Sequence, residues 1–246
     1  MREITKKRVF IIFFFIMLSF AIYVGKNTQL NTRNERSIGD AVQVTSLPVS
    51  GKVVILDAGH GTPDEGAESK NGTTEAQINL KIVLKIQQLL EQSGCTVILT
   101  RSDENAIYDL DAKTLKQKKI SDIHNRVKIG NESSADIFVS IHLNKIAQQQ
   151  YNGWQTFYNT NHEQSKNLAE QLQASLNESM QKENHRIAMK LNTVYIMKHV
   201  EIPISIVECG FLSNPEEEQQ LQQEEYQNRL AWGIYNGIIT YFSNHT

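Results

Sequence analysis

KVVILDAGHG, residues 52–61, begins as an unbroken apolar run and ends in glycines. Val53, Val54, Ile55 and Leu56 show no polar alternation, so the run reads as a strand buried on both faces, and AGHG after Asp57 reads as a loop with work to do. The period then changes. Ile78, Ile82, Leu84, Ile86, Leu89 and Leu90 recur near helical spacing, with Thr74 placed to cap the helix and Gly94 to stop it. TVILTR (96–101) is a second strand, so strand, helix and strand make one βαβ unit.

The same alternation continues downstream. Ile123, Val127 and Ile129 predict a short helix ending near Ser133, DIFVSIHL (136–143) and GWQTFY (153–158) are strands, and leucines at 168, 172 and 176 with Met180 mark a helix over 162–182. TVYIMK (193–198) and ISIVEC (204–209) are read as the last strands, and 215–242 supplies one or two closing helices. Residues 102–121, which contain DLDAKTLKQKK, read as a surface insertion without assigned structure. The expected fold is α/β, with a mostly parallel twisted sheet of about six strands covered by helices on both faces.

Upstream, Arg2, Lys6, Lys7 and Arg8 precede the uncharged apolar run VFIIFFFIMLSFAIYV (9–24). It is shorter than the roughly 20 residues of a comfortable spanning helix and longer than many signal-peptide cores. Ser19 and Ala21 have the spacing of a cleavage site, but the run continues past them, which favours an uncleaved anchor over a secreted product. The expected organisation is a membrane segment at 1–26, a polar tether at 27–46 and a globular domain at 47–246. The basic cluster places that domain on the outer face.

Composition narrows the partners. The 246 residues carry 25 basic and 27 acidic side chains, a formal charge of -2, which gives no electrostatic case for nucleic-acid binding. The two cysteines, Cys95 and Cys209, are too few for a disulfide framework and read as buried thiols.

In open α/β sheets, ligands bind beyond the carboxyl ends of the strands. That rule brings His60, just past the first strand, together with His142 at the end of DIFVSIHL and Glu208 at the end of ISIVEC. Glu75, at the start of the first long helix, joins them. Two histidines and a glutamate are the ligand set of a catalytic zinc site that keeps a position open for water, and a further carboxylate serves such a site as general base. Each residue also has a plainer reading: His60 as a turn residue, His142 as a core histidine, Glu75 as a first-turn acid, and Glu208 as half of a buried ion pair with Arg101 or Arg126.

At ILDAGHGTPDEGAE, GTTEAQINL, VILTR, the R and N of NRVKIGNESSADIFVSIHLN, and IVECGFLSNPEE the chain resembles the zinc-dependent N-acetylmuramoyl-L-alanine amidases of the amidase 3 family, in family order from Lys52 to Phe242. The resemblance implies Zn2+ ligands at His60, Glu75 and His142, a catalytic Glu208, and peptidoglycan as substrate. The alternatives are a membrane-tethered, non-catalytic wall-binding or regulatory module, and a zinc peptidase acting on another wall amide. The short anchor and compact domain are most similar to the amidases of endospore formers that make muramic δ-lactam in spore cortex, which implies a location in the forespore intermembrane space; an activating protein partner stays open. Ala58 and Thr62 stand where the family commonly has Pro and Gly, residues 102–121 match poorly, and Asn144 is retained after the SIH motif.

Overall fold

The computed structural model describes residues 46–244. The expected membrane segment at 1–26 and the tether up to residue 45 lie outside the described residues. Among the described residues, no helix is long and apolar enough to cross a membrane.

The chain runs β1 (Val53–Ala58), α1 (Glu75–Gln92), β2 (Thr96–Leu99), α2 (Leu115–Glu132), β3 (Ile137–Asn144), β4 (Gln155–Tyr158), α3 (Glu163–Met180), β5 (Met189–Lys190), α4 (Tyr195–His199), β6 (Ile204–Phe211), α5 (Pro215–Leu221) and α6 (Glu224–Ser243). One six-stranded sheet has the order β2-β1-β3-β6-β4-β5. The first four strands in that order are mutually parallel, β4 runs antiparallel to β6, and β5 is parallel to β4.

Period-2 alternation sends each strand's apolar residues to both faces. Val54, Leu56, Ile137, Val139, Ile141 and Val207 pack with Ile78, Ile82 and Ile86 of α1, Leu168 and Leu172 of α3, and Leu230 and Ile234 of α6. Ile55, Phe138, Ile204 and Ile206 point the other way, against Ile196, Met197 and Val200, with Ile123 and Val127 of α2 at the margin. Helices therefore cover both faces, as expected. On the first face α3 and α6 meet closely at Gly237, where an added Cβ would lie 2.7 Å from the Leu172 Cα.

Thr74 caps α1, its hydroxyl accepting from Gln77 N–H, and Gly94 follows the helix at φ 80°, a conformation that favours glycine. One expectation fails, and one unassigned stretch acquires structure. TVYIMK does not form a strand: Tyr195–His199 is a one-turn helix that buries Ile196 and Met197 against the sheet. A short apolar run fits either state, and here burial of adjacent residues on one side of a turn decided it. The surface insertion is structured in its second half, because α2 begins at Leu115 behind a capping box in which Thr114 and Gln117 bond reciprocally. Both cysteines are free and buried, as expected.

Candidate metal centre

The carboxyl ends of β1, β3 and β6 share one edge of the sheet, and every proposed site residue lies there. β1 ends at Ala58 beside Ile141 of β3, and His142 of β3 is the ladder partner of Glu208 of β6. His60 follows β1 with a left-handed backbone, φ 63°, which is uncommon for a residue with a side chain. Its carbonyl is held at 2.6 Å by Arg126 Nη2, while Arg126 Nη1 donates to Ala58 O at 2.8 Å. Arg126 is itself fixed by Asp122 (2.8 Å) and by a close ion pair with Asp57, both partners almost wholly buried. Asp57 also accepts from Thr100 Oγ1 (2.7 Å) and from Ser140 Oγ. Arg101 ties the same loop from the other side, donating to the carbonyls of Ala58, Gly59 and Ala76.

Glu75, the first residue of α1, is 4% exposed, and both its oxygens are occupied. Oε1 accepts from Leu143 N–H and faces His142 Nδ1, each at 3.0 Å. Oε2 accepts from Ala67 N–H at 2.8 Å and lies 3.4 Å from His60 Nε2. The imidazoles of His60 and His142 meet edge to face with centroids 5.1 Å apart. The ligating atoms of His60, Glu75 and His142 all lie within 4.8 Å of one another. Burial opposes ionisation of Glu75, but the hydrogen bonds and charges of the two histidines hold its carboxyl well below the usual range.

The surroundings fit a bound cation. A Cβ at Gly59 would fall 2.3 Å from the His142 ring, and one at Gly66 would fall 2.6 Å from Glu75 Oε2, so both glycines are needed for the donors to converge. Asp64 Oδ2 lies 3.2 Å from His60 Nδ1, leaving Nε2 turned towards Glu75. Carboxylate to histidine contacts of this kind fix the tautomer and orientation of a metal-ligating ring. Lys119 of α2 pairs with the other oxygen of Asp64 at 2.7 Å. Neither Asp64 nor Lys119 is signalled by the sequence; only the capping box at Thr114 could have placed Lys119 on a helix facing the site.

Glu208 lies alongside the three donors without joining them. Neither Arg101 nor Arg126 pairs with it, since both are committed to the β1 loop, so the ion-pair reading of Glu208 is replaced. Its Oε2 is sealed from solvent and has no hydrogen-bond partner among the described residues. Burial raises its pKa to about 7; the positive field of His142 opposes that rise and the charge of Glu75 adds to it. Glu208, His60, Lys119 and His142 form the polar side of a cleft of about 260 Å³ whose apolar side is Leu191, Val194 and Ile196. Asn144 sits where the β3 and β6 register shifts, its carbonyl accepting from Leu212 N–H at 2.9 Å, which gives it a backbone turn role. A buried carboxyl poised near neutrality beside three convergent metal donors is an arrangement suited to activating water against a carbonyl.

Comparison with known proteins agrees with this chemistry. The profile of a family described as N-acetylmuramoyl-L-alanine amidase matches residues 54–240. The germination-specific N-acetylmuramoyl-L-alanine amidase of Bacillus subtilis is 32% identical over 243 residues, covering 99% of this chain and 97% of that protein. The CwlD amidase of Clostridioides difficile, solved in complex with the GerS lipoprotein, superposes with a TM-score of 0.76 at 44% identity, covering 78% of this chain and 99% of that one. An N-acetylmuramoyl-L-alanine amidase from Clostridium difficile 630 superposes with a TM-score of 0.69 at 31% identity, covering 79% and 98%.

Proposed function

The chain belongs to the N-acetylmuramoyl-L-alanine amidase family, and on that premise we propose that it hydrolyses the amide joining the lactyl group of N-acetylmuramic acid to L-Ala of the stem peptide, with zinc held by His60, Glu75 and His142 and with Glu208 as general base. The convergence of those three donors beside a carboxylate whose Oε2 has no hydrogen-bond partner among the described residues carries the reading. Bound there, zinc would supply Lewis acidity towards the carbonyl and lower the pKa of water towards about 7. Glu208 takes the proton of the attacking water and delivers it to the nitrogen of the departing L-Ala. Burial raises the pKa of that carboxyl above the ordinary glutamate range, which makes it a stronger base than an exposed glutamate. Asp64 braces the His60 ring at Nδ1, and the absence of a side chain at Gly59 leaves the His142 ring its place.

The biological setting we propose is spore cortex. The germination-specific Bacillus subtilis relative matches nearly end to end, and release of the stem peptide frees the lactyl carboxyl that a muramic δ-lactam requires. We place the catalytic domain on the outer face of a membrane, tethered by residues 1–26. Because the similar Clostridioides difficile amidase was solved with a lipoprotein, a lipid-anchored protein partner at the same surface of the membrane belongs to the proposal.

The test is digestion of purified peptidoglycan followed by mass spectrometry. Free stem peptides beginning with L-Ala, absent with Glu208→Ala, support the assignment. Cleavage at another wall amide would make the protein a peptidase, and binding without any cleavage would make it a non-catalytic module.

A further inference from the structure

Beside the site stands a cation that has no counter-ion among the described residues. Arg186, in the stretch between α3 and β5, has its guanidinium stacked over the Phe211 ring, 4.8 Å from the centroid. Nη1 donates to Gln155 Oε1 at 3.4 Å and Nη2 to Asn152 O at 3.3 Å. The Arg186 backbone N–H donates to Asn184 Oδ1 at 3.2 Å, fixing the stem of the side chain. Among the described residues no carboxylate lies within ion-pair distance of it. The residue is half-buried, so part of the five-donor guanidinium fork stays open to solvent.

Its position follows from strand register. Gln155 of β4 is the antiparallel ladder partner of Glu208, which sets their Cα atoms about 5 Å apart with side chains on the same face. Gln155 Nε2 donates to Ile187 O at 3.1 Å, which turns Oε1 towards Arg186. Phe211, the stacking partner, stands three residues beyond Glu208 on β6. The guanidinium is thus one hydrogen bond away from the neighbour of the proposed general base, on the β4 flank, opposite the histidines.

We propose that Arg186 and Gln155 form a subsite for a free carboxylate of the stem peptide, the one carried by the residue that follows L-Ala. The inference rests on the amidase reading, which sets the scissile bond at Glu208. An extended peptide leaving that point advances about 3.3 Å per residue, so the group that reaches Arg186 lies one to two residues from the bond. A planar guanidinium held flat on an aromatic ring is suited to a carboxylate, which it can meet with two parallel N–H donors. The subsite thereby selects substrates by the charge of that residue while Glu208 acts on the bond.

Equilibrium binding to zinc-loaded Glu208→Gln protein, in which turnover is blocked, tests this with a soluble muropeptide and its twin amidated at that carboxylate. The free acid is expected to bind about 10- to 100-fold tighter than the amide, the scale of a charge-assisted contact. Adding Arg186→Gln abolishes the preference, and Arg186→Lys retains part of it. Equal affinity for the two ligands, or a preference that survives Arg186→Gln, overturns the subsite; the ligand pair decides this even without a change at Arg186. Wild-type digestion of the same muropeptides separates the two levels: release of L-Ala-terminated peptide from both at equal rates overturns the subsite alone, and release from neither overturns it together with the amidase reading.

Discussion

Asp64→Asn removes a charge that lies outside the three-donor set yet orients one of its members. The wild-type carboxylate sits 3.2 Å from His60 Nδ1 and is steadied by Lys119 at 2.7 Å. Asn keeps the shape and can still accept a hydrogen bond, so the change isolates the charge. Carboxylates that brace a ligating histidine typically contribute about 10- to 100-fold in metal affinity, or about 1.4–2.7 kcal/mol. Lys119 is one contact further out, and its side chain is 48% exposed, where an ion pair contributes no more than about 1 kcal/mol. Lys119→Met should therefore weaken zinc binding by less than about fivefold. Competition against a chromophoric chelator measures both affinities at equilibrium. A zinc affinity for Asp64→Asn within twofold of wild type, or a larger loss for Lys119→Met than for Asp64→Asn, would refute the bracing argument.

Three further outcomes follow from the structure. Asp57 is fully buried; burial raises its pKa, but the charge of Arg126, the hydrogen bonds from Ser140 and Thr100 and the charge of His142 together outweigh that and hold the carboxyl below its usual value, so its stabilising contribution is present above about pH 4 and fades as pH falls below it. Asp57→Asn should destabilise the fold by about 3–5 kcal/mol at neutral pH and flatten the acid limb of the stability profile, as read by urea unfolding between pH 3 and 7; an unchanged acid limb would contradict this. Gly237→Ala forces a Cβ to within 2.7 Å of the Leu172 backbone, and thermal unfolding should show a loss of about 1–3 kcal/mol, whereas an unchanged midpoint would mean that α3 and α6 separate freely. Gly59→Ala should abolish high-affinity zinc binding while leaving the far-ultraviolet spectrum native, because the added Cβ collides with the His142 ring and not with the core; retained affinity would show that His142 is not needed where it stands.

Much of this architecture is legible from residue pattern. The VVIL, IFVSI and ISIV runs are apolar on both sides of the strand, which only a sheet covered on both faces can accommodate, and Thr74 and Gly94 mark the ends of α1 by cap chemistry. His60, His142 and Glu208 are visible as candidates because strand ends at one sheet edge converge, whatever the family. What pattern misses depends on tertiary reach. The α2 helix is too polar to show a strong stripe, and it buries Arg126 and Asp122, residues that periodicity scores as surface. Tyr195–His199 is too short for any period to register. Asp64, Lys119 and Arg186 act through partners distant in sequence or through one specific rotamer, so their types alone carry no signal. Glu208 looked able to pair with Arg101 or Arg126; the β1 loop claims both, and the unpartnered oxygen is what distinguishes Glu208 from an ordinary buried acid.

The central claim is that His60, Glu75 and His142 hold the metal while Glu208 moves the proton. Glu208→Gln, nearly isosteric and unable to accept that proton, separates the two roles when zinc content and muropeptide hydrolysis are measured on the same preparation. The account predicts full zinc occupancy with hydrolysis reduced about 10²- to 10⁴-fold. Near-normal hydrolysis by the zinc-loaded variant, or loss of zinc from it, would contradict the assignment.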